Sequence, residues 1–488
     1  MNPDERFTFD AAALTGLRAG TASATLAAGP LARFNVPGLL RQLDRYPYGC
    51  TEQVTSSALP LLYLSGLAQD AGLGTPDDIT GKIADGIARV MARQASNGAF
   101  GMWQAQSGDF WLDAYVTDFL WRAQAQGHAV PQRALSSALD NLRNRINFAP
   151  DFDEGGTDIA YALLVLARAG AAQMGDLRYY ADTKADAFST PMAAAQLGAA
   201  LAAYGDPVRA DRMFSRAGAL LLQPADRSAW RDDFGSTLRD RAAVLTLATE
   251  AGSTALDLGP LAQSLHAEGR DLSTQEAAQV VLAAHALGAS DTTGGIEVDG
   301  AAVSGPIVRQ LSDRDPTPAV IHNTGTTPTD LTLTTYGVPE VAPPAGGYGY
   351  ALSRRYFTME GEEVAGPVRA GTRLVAVLGV QPFEEIGARL MIDDPLPGGF
   401  EIDNPNLLAS GAVSALDWLQ TVTPENVEFR SDRFLAAVNH TGAEPFQLAY
   451  VVRAVSPGSY HHPAALVTDM YRPEYRAITA TSRLTVTP

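Results

Sequence analysis

From residue 29 to residue 290 one pattern recurs: an Ala- and Leu-rich stretch with apolar residues at helical spacing, then a glycine. LLRQLDRY, ITGKIADGIARVMARQ, ALSSALDNLRNRI, DIAYALLVLARAG, PMAAAQLGAALAAYG and STQEAAQVVLAAHALG all read as amphipathic helices. Their ends are marked. Thr75-Pro76-Asp77-Asp78 offers an N-cap, a proline in the first turn and two acids. Ser273 and Glu276 have capping-box spacing, and Gly72, Gly127, Gly170, Gly205, Gly252 and Gly288 sit where helices should stop. Roughly a dozen helices with short loops pack as antiparallel hairpins. Closed into a ring, an α/α-toroid, they would bury the inner set on both sides.

After residue 290 the period changes. DLTLTTYGV, TRLVAVLGVQ, GARLMIDD, FLAAVNHT, FQLAYVVRAV, AALVTDMY and AITATSRLTVTP are short, alternating or β-branched runs divided by Pro and Gly. The expected fold class is therefore multidomain: an all-α toroid followed by all-β sandwich domains. ASATLAAG, before the helices, reads as a strand that pairs with the β-module after them. VAPPAGGYG, residues 341–349, reads as a boundary between two β-modules. The domains expected are 1–28 and 291–345 as the two parts of one β-module, 29–290 as the toroid, and 346–488 as a β-sandwich.

The chain's 54 acidic and 36 basic residues give a net charge of −18, which argues against nucleic acid as a partner. The start, MNPDERFTFD, has no basic n-region or apolar core of a signal peptide and begins abruptly, as a fragment would. No metal site is expected. His461-His462 is the only close histidine pair, and neighbours on a strand face opposite ways, so both are read as surface residues. Asp393-Asp394 and Glu384-Glu385 are read as solvated loop charge.

The only cysteine lies in YPYGCTEQ, residues 46–53. Three roles are open to Cys50. It can be a small buried apolar residue. It can be a nucleophile, although none of the seven histidines is near it in sequence to act as base. Or, if TEQVTSSALPLLYL is a helix, Cys50 at its start and Gln53 one turn on share a face. A helix N-terminus favours thiolate. A thiolate beside a carboxamide can expel ammonia and close an intramolecular thioester, which survives only under cover; Tyr46 and Tyr48, held by Pro47, can supply it.

YPYGCTEQ resembles the thioester motif of the alpha-2-macroglobulin and complement superfamily, with a bacterial lead-in. NGAFGMWQAQSGDFWLDAYVTDFL, residues 97–120, resembles the segment after the thioester helix. STLRDRAAVL and LSTQEAAQVVLAA are similar to later helices of that domain. The resemblance implies a thioester domain, a flanking CUB-like module and a final macroglobulin-like domain, as in the C-terminal third of a longer protein. It implies a protease inhibitor, not an enzyme. After cleavage of a bait region elsewhere, the Cys50–Gln53 thioester would capture a protease lysine once, with no cofactor. It also implies a periplasmic location, with a lipid anchor upstream of this chain. Met470 and Tyr471 in VTDMYRPEY resemble a Met-Tyr lock, expected to shield the site together with Tyr46, Tyr48, Trp103 and Trp111. Two other readings stand beside it: a terpenoid cyclase, from the acidic Asp151-Phe152-Asp153-Glu154 and the QASNGAF of residues 94–100, and a non-covalent binding module.

The lock is testable. Replacing Met470 and Tyr471 together by Ala should speed methylamine reaction at the thioester several-fold, because aromatic and thioether cover excludes water and amine. Unchanged rates would remove the two residues from the shield.

Overall fold

The computed structural model describes residues 1–224, 231–265, 270–288, 295–305, 307–403 and 416–488. The chain divides into two compact units, the first running to Glu340 and the second from Val341 to Pro488.

The first unit is built on two kinds of helix. Six of them, Thr51–Ala58, Phe110–Ala125, Thr157–Arg168, Pro191–Ala203, Thr237–Glu250 and Thr274–Ala286, pack each against the next, and the last against the first, closing a ring. Their burial runs nearly without a break, from Ile159 to Ala167 in one and from Thr274 to Ala284 in another. Outside the ring lie helices with a single apolar stripe. Pro76–Met91 buries Ile79, Ile83, Gly86, Ile87 and Val90, and Gln132–Asn147 buries Leu135, Ala138, Asn141, Leu142 and Ile146. A helix hydrophobic all round must be covered all round, and a striped helix needs one neighbouring layer. The α/α-toroid expected from sequence is thus the observed architecture.

The end signals act as predicted. Thr75 caps its helix by accepting from the Asp78 amide, and Ser273 and Glu276 form a reciprocal capping box. The predicted glycines lie just past helix ends; Gly127 and Gly170 have φ of 87° and 67°, a region costly for other residues. One expectation fails. TEQVTSSALPLLYL is not one helix: Thr51–Ala58 ends before Pro60, and Leu61–Asp70 starts after it, because proline cannot donate to the preceding turn.

Ser23–Ala28 is the centre strand of a three-stranded sheet, antiparallel to Ile307–Ser312 on one side and Leu331–Tyr336 on the other. The strand before the helices therefore pairs with strands after them, as expected. Arg6–Phe9 pairs with Ala319–Asn323 in a second small sheet. Ala24, Leu26, Ala28, Phe9, Ile307 and Ile321 form the core of this module. Its outer face meets the helix Val36–Asp44. Arg41 donates to Thr25 and Ser23, lies 4.4 Å from the Tyr336 ring centre, and the Tyr336 hydroxyl donates to Gly38.

In the second unit a four-stranded sheet of Phe400–Ile402, Phe446–Ala454, Arg373–Pro382 and Tyr350–Phe357 shares an apolar core with a six-stranded sheet centred on Ala388–Pro395 and Leu466–Asp469. Two readings of charge are overturned here. Asp393 and Asp394 are buried in a strand, not solvated in a loop. Arg433 pairs with Asp393 at 3.0 Å, and Arg354 and Tyr450 hold Asp394. His461 and His462 do face opposite ways, but His462 is buried. Its nitrogens meet Tyr356 and Ser482, and burial beside Arg354 lowers its pKa to about 3, so it stays neutral. Glu384 and Glu385 are exposed as expected. No helix among the described residues is long and apolar enough to cross a membrane.

One turn in the first unit bears on the site. In QASNGAFG, Gln94 bridges to Phe100, the Ala95 amide donates to Ala99, and Gln94 Nε2 donates to Gly98 and Ala134. At Gly101 a Cβ would fall 1.9 Å from the Gln104 carbonyl oxygen, so only glycine fits. The buried Asp113 carboxylate fixes the turn, accepting from the Phe100 amide at 2.7 Å and from Asn141 at 2.8 Å. Burial raises the Asp113 pKa to about 6, opposed by these hydrogen bonds and by Arg145. The folded value lies above the unfolded one, so the contribution to stability is full below the unfolded pKa and is lost as pH rises through the folded one. The stability of wild type relative to Asp113→Asn should fall by about 2 kcal/mol between about pH 4 and about pH 7. Denaturant unfolding followed by helical circular dichroism at the two pH values measures it; a constant difference would refute the assignment.

Candidate functional site

The helix Val36–Asp44, tied to the β-module through Arg41, hands the chain to Tyr46, and Pro47 keeps the following stretch out of helix. The Tyr46 and Tyr48 rings meet edge to face with centroids 5.4 Å apart, the orientation favoured by ring quadrupoles. The Gly49 carbonyl accepts from Arg93 at 2.7 Å. Cys50 then takes extended backbone angles and becomes the N-cap of Thr51–Ala58.

A helix start leaves its first amides without intrahelical acceptors. Here they are answered from within the protein. Gln53 N donates to Cys50 Sγ at 3.5 Å, and Cys50 N donates to Gln53 Oε1 at 3.2 Å. This is a capping box with cysteine and glutamine in the places usually held by serine and glutamate. Thr51 N donates to the Met102 carbonyl at 2.8 Å, and the Thr51 hydroxyl donates to Gly101 at 2.6 Å. The turn ending at Gly101 thus docks on the first residue of the helix. Gln53 Nε2 donates to the Tyr46 hydroxyl at 3.4 Å. Cys50 and Gln53 are 0% and 1% exposed, so the thiol and the carboxamide share a dry place.

The electrostatics differ from the expectation of a helix-end thiolate. Burial pushes the Cys50 thiol far above its usual range, and the Glu52 carboxylate pushes it further; the Gln53 amide and Arg93 oppose this and lose. Desolvation of an anion outweighs one helix end.

Glu52 was not singled out by the sequence. Fully buried, it accepts from Ser56 at 2.5 Å, from Thr274 at 2.9 Å and from Gln275 at 2.8 Å. Ser56 shares a further hydrogen bond with the Tyr115 hydroxyl at 2.8 Å. Thr274 and Gln275 open the last helix of the ring, so this carboxylate joins the first and last ring helices at their N-terminal ends, where negative charge is favoured. The signal was present in LSTQEAAQ, where spacing revealed the Ser273–Glu276 cap and not the partners of the residues between. Arg93 was missed for the same reason.

The other candidates fall in different places. Trp111 is buried, with ring centroids of Tyr115, Phe234 and Tyr161 at 5.1, 5.3 and 5.5 Å and the Arg239 guanidinium 5.8 Å from its ring centre. Trp103 is half-buried in the bend after Gly101. In the second unit Met470 and Tyr471 follow the strand Leu466–Asp469 and are both buried. Met470 N donates to Arg389, Tyr471 N donates to Asp469, and the Arg389 guanidinium lies 5.7 Å from the Tyr471 ring centre. Of the cyclase-like features, Asp151, Asp153 and Glu154 are exposed, with Lys184 2.7 Å from Asp151, and QASNGAF is the structural turn described above. No group of three or more His, Cys, Asp or Glu among the described residues could hold a metal ion.

A profile described as "A-macroglobulin TED domain" matches residues 26–147, and one described as "Bacterial Alpha-2-macroglobulin MG10 domain" matches residues 349–474. Alpha-2-macroglobulin of Escherichia coli strain K12 is 31% identical over 100% of this chain and 31% of its own length. That of Xylella fastidiosa strain Temecula1 is 28% identical over 96% of this chain and 31% of its own. The chain thus spans about a third of the length of these relatives. A native E. coli alpha-2-macroglobulin crystal structure, spanning domain MG7 to the C-terminus, superposes with a TM-score of 0.86 at 28% identity, covering all of this chain and 81% of that one. Salmonella alpha-2-macroglobulin reacted with methylamine gives a TM-score of 0.87 at 30% identity, covering all of this chain and 33% of that one. Likeness over the whole chain, in sequence and in fold, makes it a member of the bacterial alpha-2-macroglobulin family.

Proposed function

We propose that Cys50 and Gln53 close an intramolecular thioester, and that the protein containing this chain uses it to capture attacking proteases covalently through their lysine amines. The observation that carries the reading is the Cys50–Gln53 capping box, which holds thiol and carboxamide against each other in a site from which water is excluded. The relative whose structure was determined after reaction with methylamine supports it, because methylamine is a small amine of the kind that opens a thioester.

The site's chemistry suits storage. Opening the bond expels Cys50, and a thiol whose anion is disfavoured by burial and by Glu52 is a poor leaving group. The acyl group stays inert while the pocket is dry and becomes reactive once the sulfur meets water. Tyr46 and Tyr48 are proposed as cover from within the same unit. Each capture consumes the acyl group, so the protein acts once, as an inhibitor and not as a turnover enzyme. A periplasmic location is part of this proposal.

Nucleophile choice follows from chemistry. The stretch Asp151 to Leu164, where some complement relatives are expected to carry an acyl-accepting histidine, contains none. His285 stacks on Tyr63 with centroids 5.1 Å apart, and His128 lies in a loop between helices; His266 is outside the described residues. Without an imidazole relay, amines outcompete hydroxyls at a thioester.

Freshly purified protein should be lighter by one ammonia than its sequence and show no titratable thiol. Methylamine should add at Gln53 and release one thiol, at Cys50. Cys50→Ala should abolish capture while costing about 1 kcal/mol or less, the worth of one cap interaction. A native protein with a free thiol and the full sequence mass would refute the bond. Challenge with labelled methylamine and labelled glycerol should give an amide stable to hydroxylamine and little ester; efficient glycerol ester formation would refute direct aminolysis.

A further inference from the structure

Closing the thioester requires expulsion of a nitrogen from a site with almost no water. Gln53 is 1% exposed, and an amide nitrogen cannot leave as a bare anion. The proton must come from a protein group within reach. Gln53 Nε2 lies 3.4 Å from the Tyr46 hydroxyl, and Gln53 Oε1 lies 3.2 Å from the Cys50 amide. The two heteroatoms of the reacting carboxamide are thus held by two different groups.

We infer that Tyr46 is a catalytic residue of thioester closure, its phenol protonating the departing nitrogen while the Cys50 amide N–H stabilises the oxyanion; this rests on the thioester reading above. In the open form the phenol oxygen accepts from Nε2. When Cys50 Sγ attacks Gln53 Cδ, the Sγ–Cδ bond forms and the carbonyl π pair moves to Oε1, which the Cys50 N–H already faces. The nitrogen becomes tetrahedral and gains a basic lone pair. The phenol turns its O–H to that lone pair. As the carbonyl re-forms, the Cδ–Nε2 bond breaks and the nitrogen leaves as ammonia with the phenol's proton. The proton released by Sγ restores the phenol. Thiol and primary amide become thioester and ammonia, with no oxidant, reductant or water consumed. Tyr46 is half-buried.

A shield and an acid make different demands on Tyr46. A shield needs the ring, packed edge-on against Tyr48, whereas an acid needs the hydroxyl. Tyr46→Phe keeps the first and removes the second. The test is timed cell-free synthesis of the full chain, quenched in acid, with loss of ammonia read by intact mass. Tyr46→Phe should close about tenfold or more slowly than wild type, within the usual range for general acid catalysis. By microscopic reversibility its closed form should also react more slowly with methylamine, whereas Tyr46→Ala, which loses the cover, should react faster. A fluorinated tyrosine placed at position 46, whose phenol titrates below the usual value of about 10, should move the alkaline fall of the closure rate to lower pH. Closure of Tyr46→Phe at the wild-type rate, or an unmoved pH profile with the fluorinated residue, would overturn the inference and leave the thioester reading standing. A wild-type chain that never loses ammonia would overturn both.

Discussion

A buried helix N-terminus has to be satisfied from inside the protein, and much of the first unit is arranged around meeting that demand for Thr51–Ala58. Unpaired amides at a helix start are normally left to water. Here water is excluded, and the partners come from the helix start itself and from distant parts of the chain. Cys50 and Gln53 answer one another. The Met102 carbonyl takes the Thr51 amide, and that carbonyl is in place because Gly101 allows a close turn and Asp113 pins Phe100. Arg93, beyond the end of an outer helix, ties down Gly49. The ring brings these segments to one point, and an isolated helix hairpin could not.

Charge follows the same logic. The Glu52 side chain lies in a dry interior with hydroxyl and carboxamide donors around it, at the N-terminal ends of two ring helices. Those donors and the two helix ends make the position tolerable for a carboxylate. Its effect on its neighbours is repulsive to further negative charge: burial and Glu52 together hold both the Cys50 thiol and the Tyr115 phenol in their neutral forms. The ring thus joins its first and last helices with the same group that disfavours a thiolate two residues away.

The sequence made the periodic parts of this structure legible. Unbroken Ala-rich helices, striped helices and terminal glycines were enough for a ring, since each is a local signal with a local cause. The Cys50–Gln53 pair was legible for the same reason, being three residues apart. What could not be read was set by partners distant in the chain. Asp394 appeared solvated because nothing near it in sequence shows that Arg354 and Tyr450 meet it inside a sheet. His462 appeared exposed because Tyr356 lies 106 residues away. For Cys50 the local signal, a helix end, pointed towards thiolate, whereas burial, a property of the whole ring, reversed it. Pro60 was a local signal overruled in the reading by apolar continuity on either side.

The capping box also explains why the residue at this helix start is cysteine. Serine is a better cap, since its hydroxyl oxygen is a stronger acceptor than sulfur for the Gln53 amide. Yet serine beside the same carboxamide has no route to an activated acyl group: its anion is far harder to form in a dry site, and the ester it would give is less reactive towards amines. Cysteine gives up part of the cap, because sulfur accepts more weakly than a hydroxyl oxygen, and gains a sulfur that can exchange with the amide nitrogen. Glutamine at the third position completes the box with Oε1 and leaves Nε2 to face Tyr46. A glutamate there would satisfy the same amide, but its second oxygen could not leave as ammonia. In the function proposed, the residues that finish the helix and the residues that store the acyl group are the same two, and the spacing that serves one purpose fixes the geometry of the other.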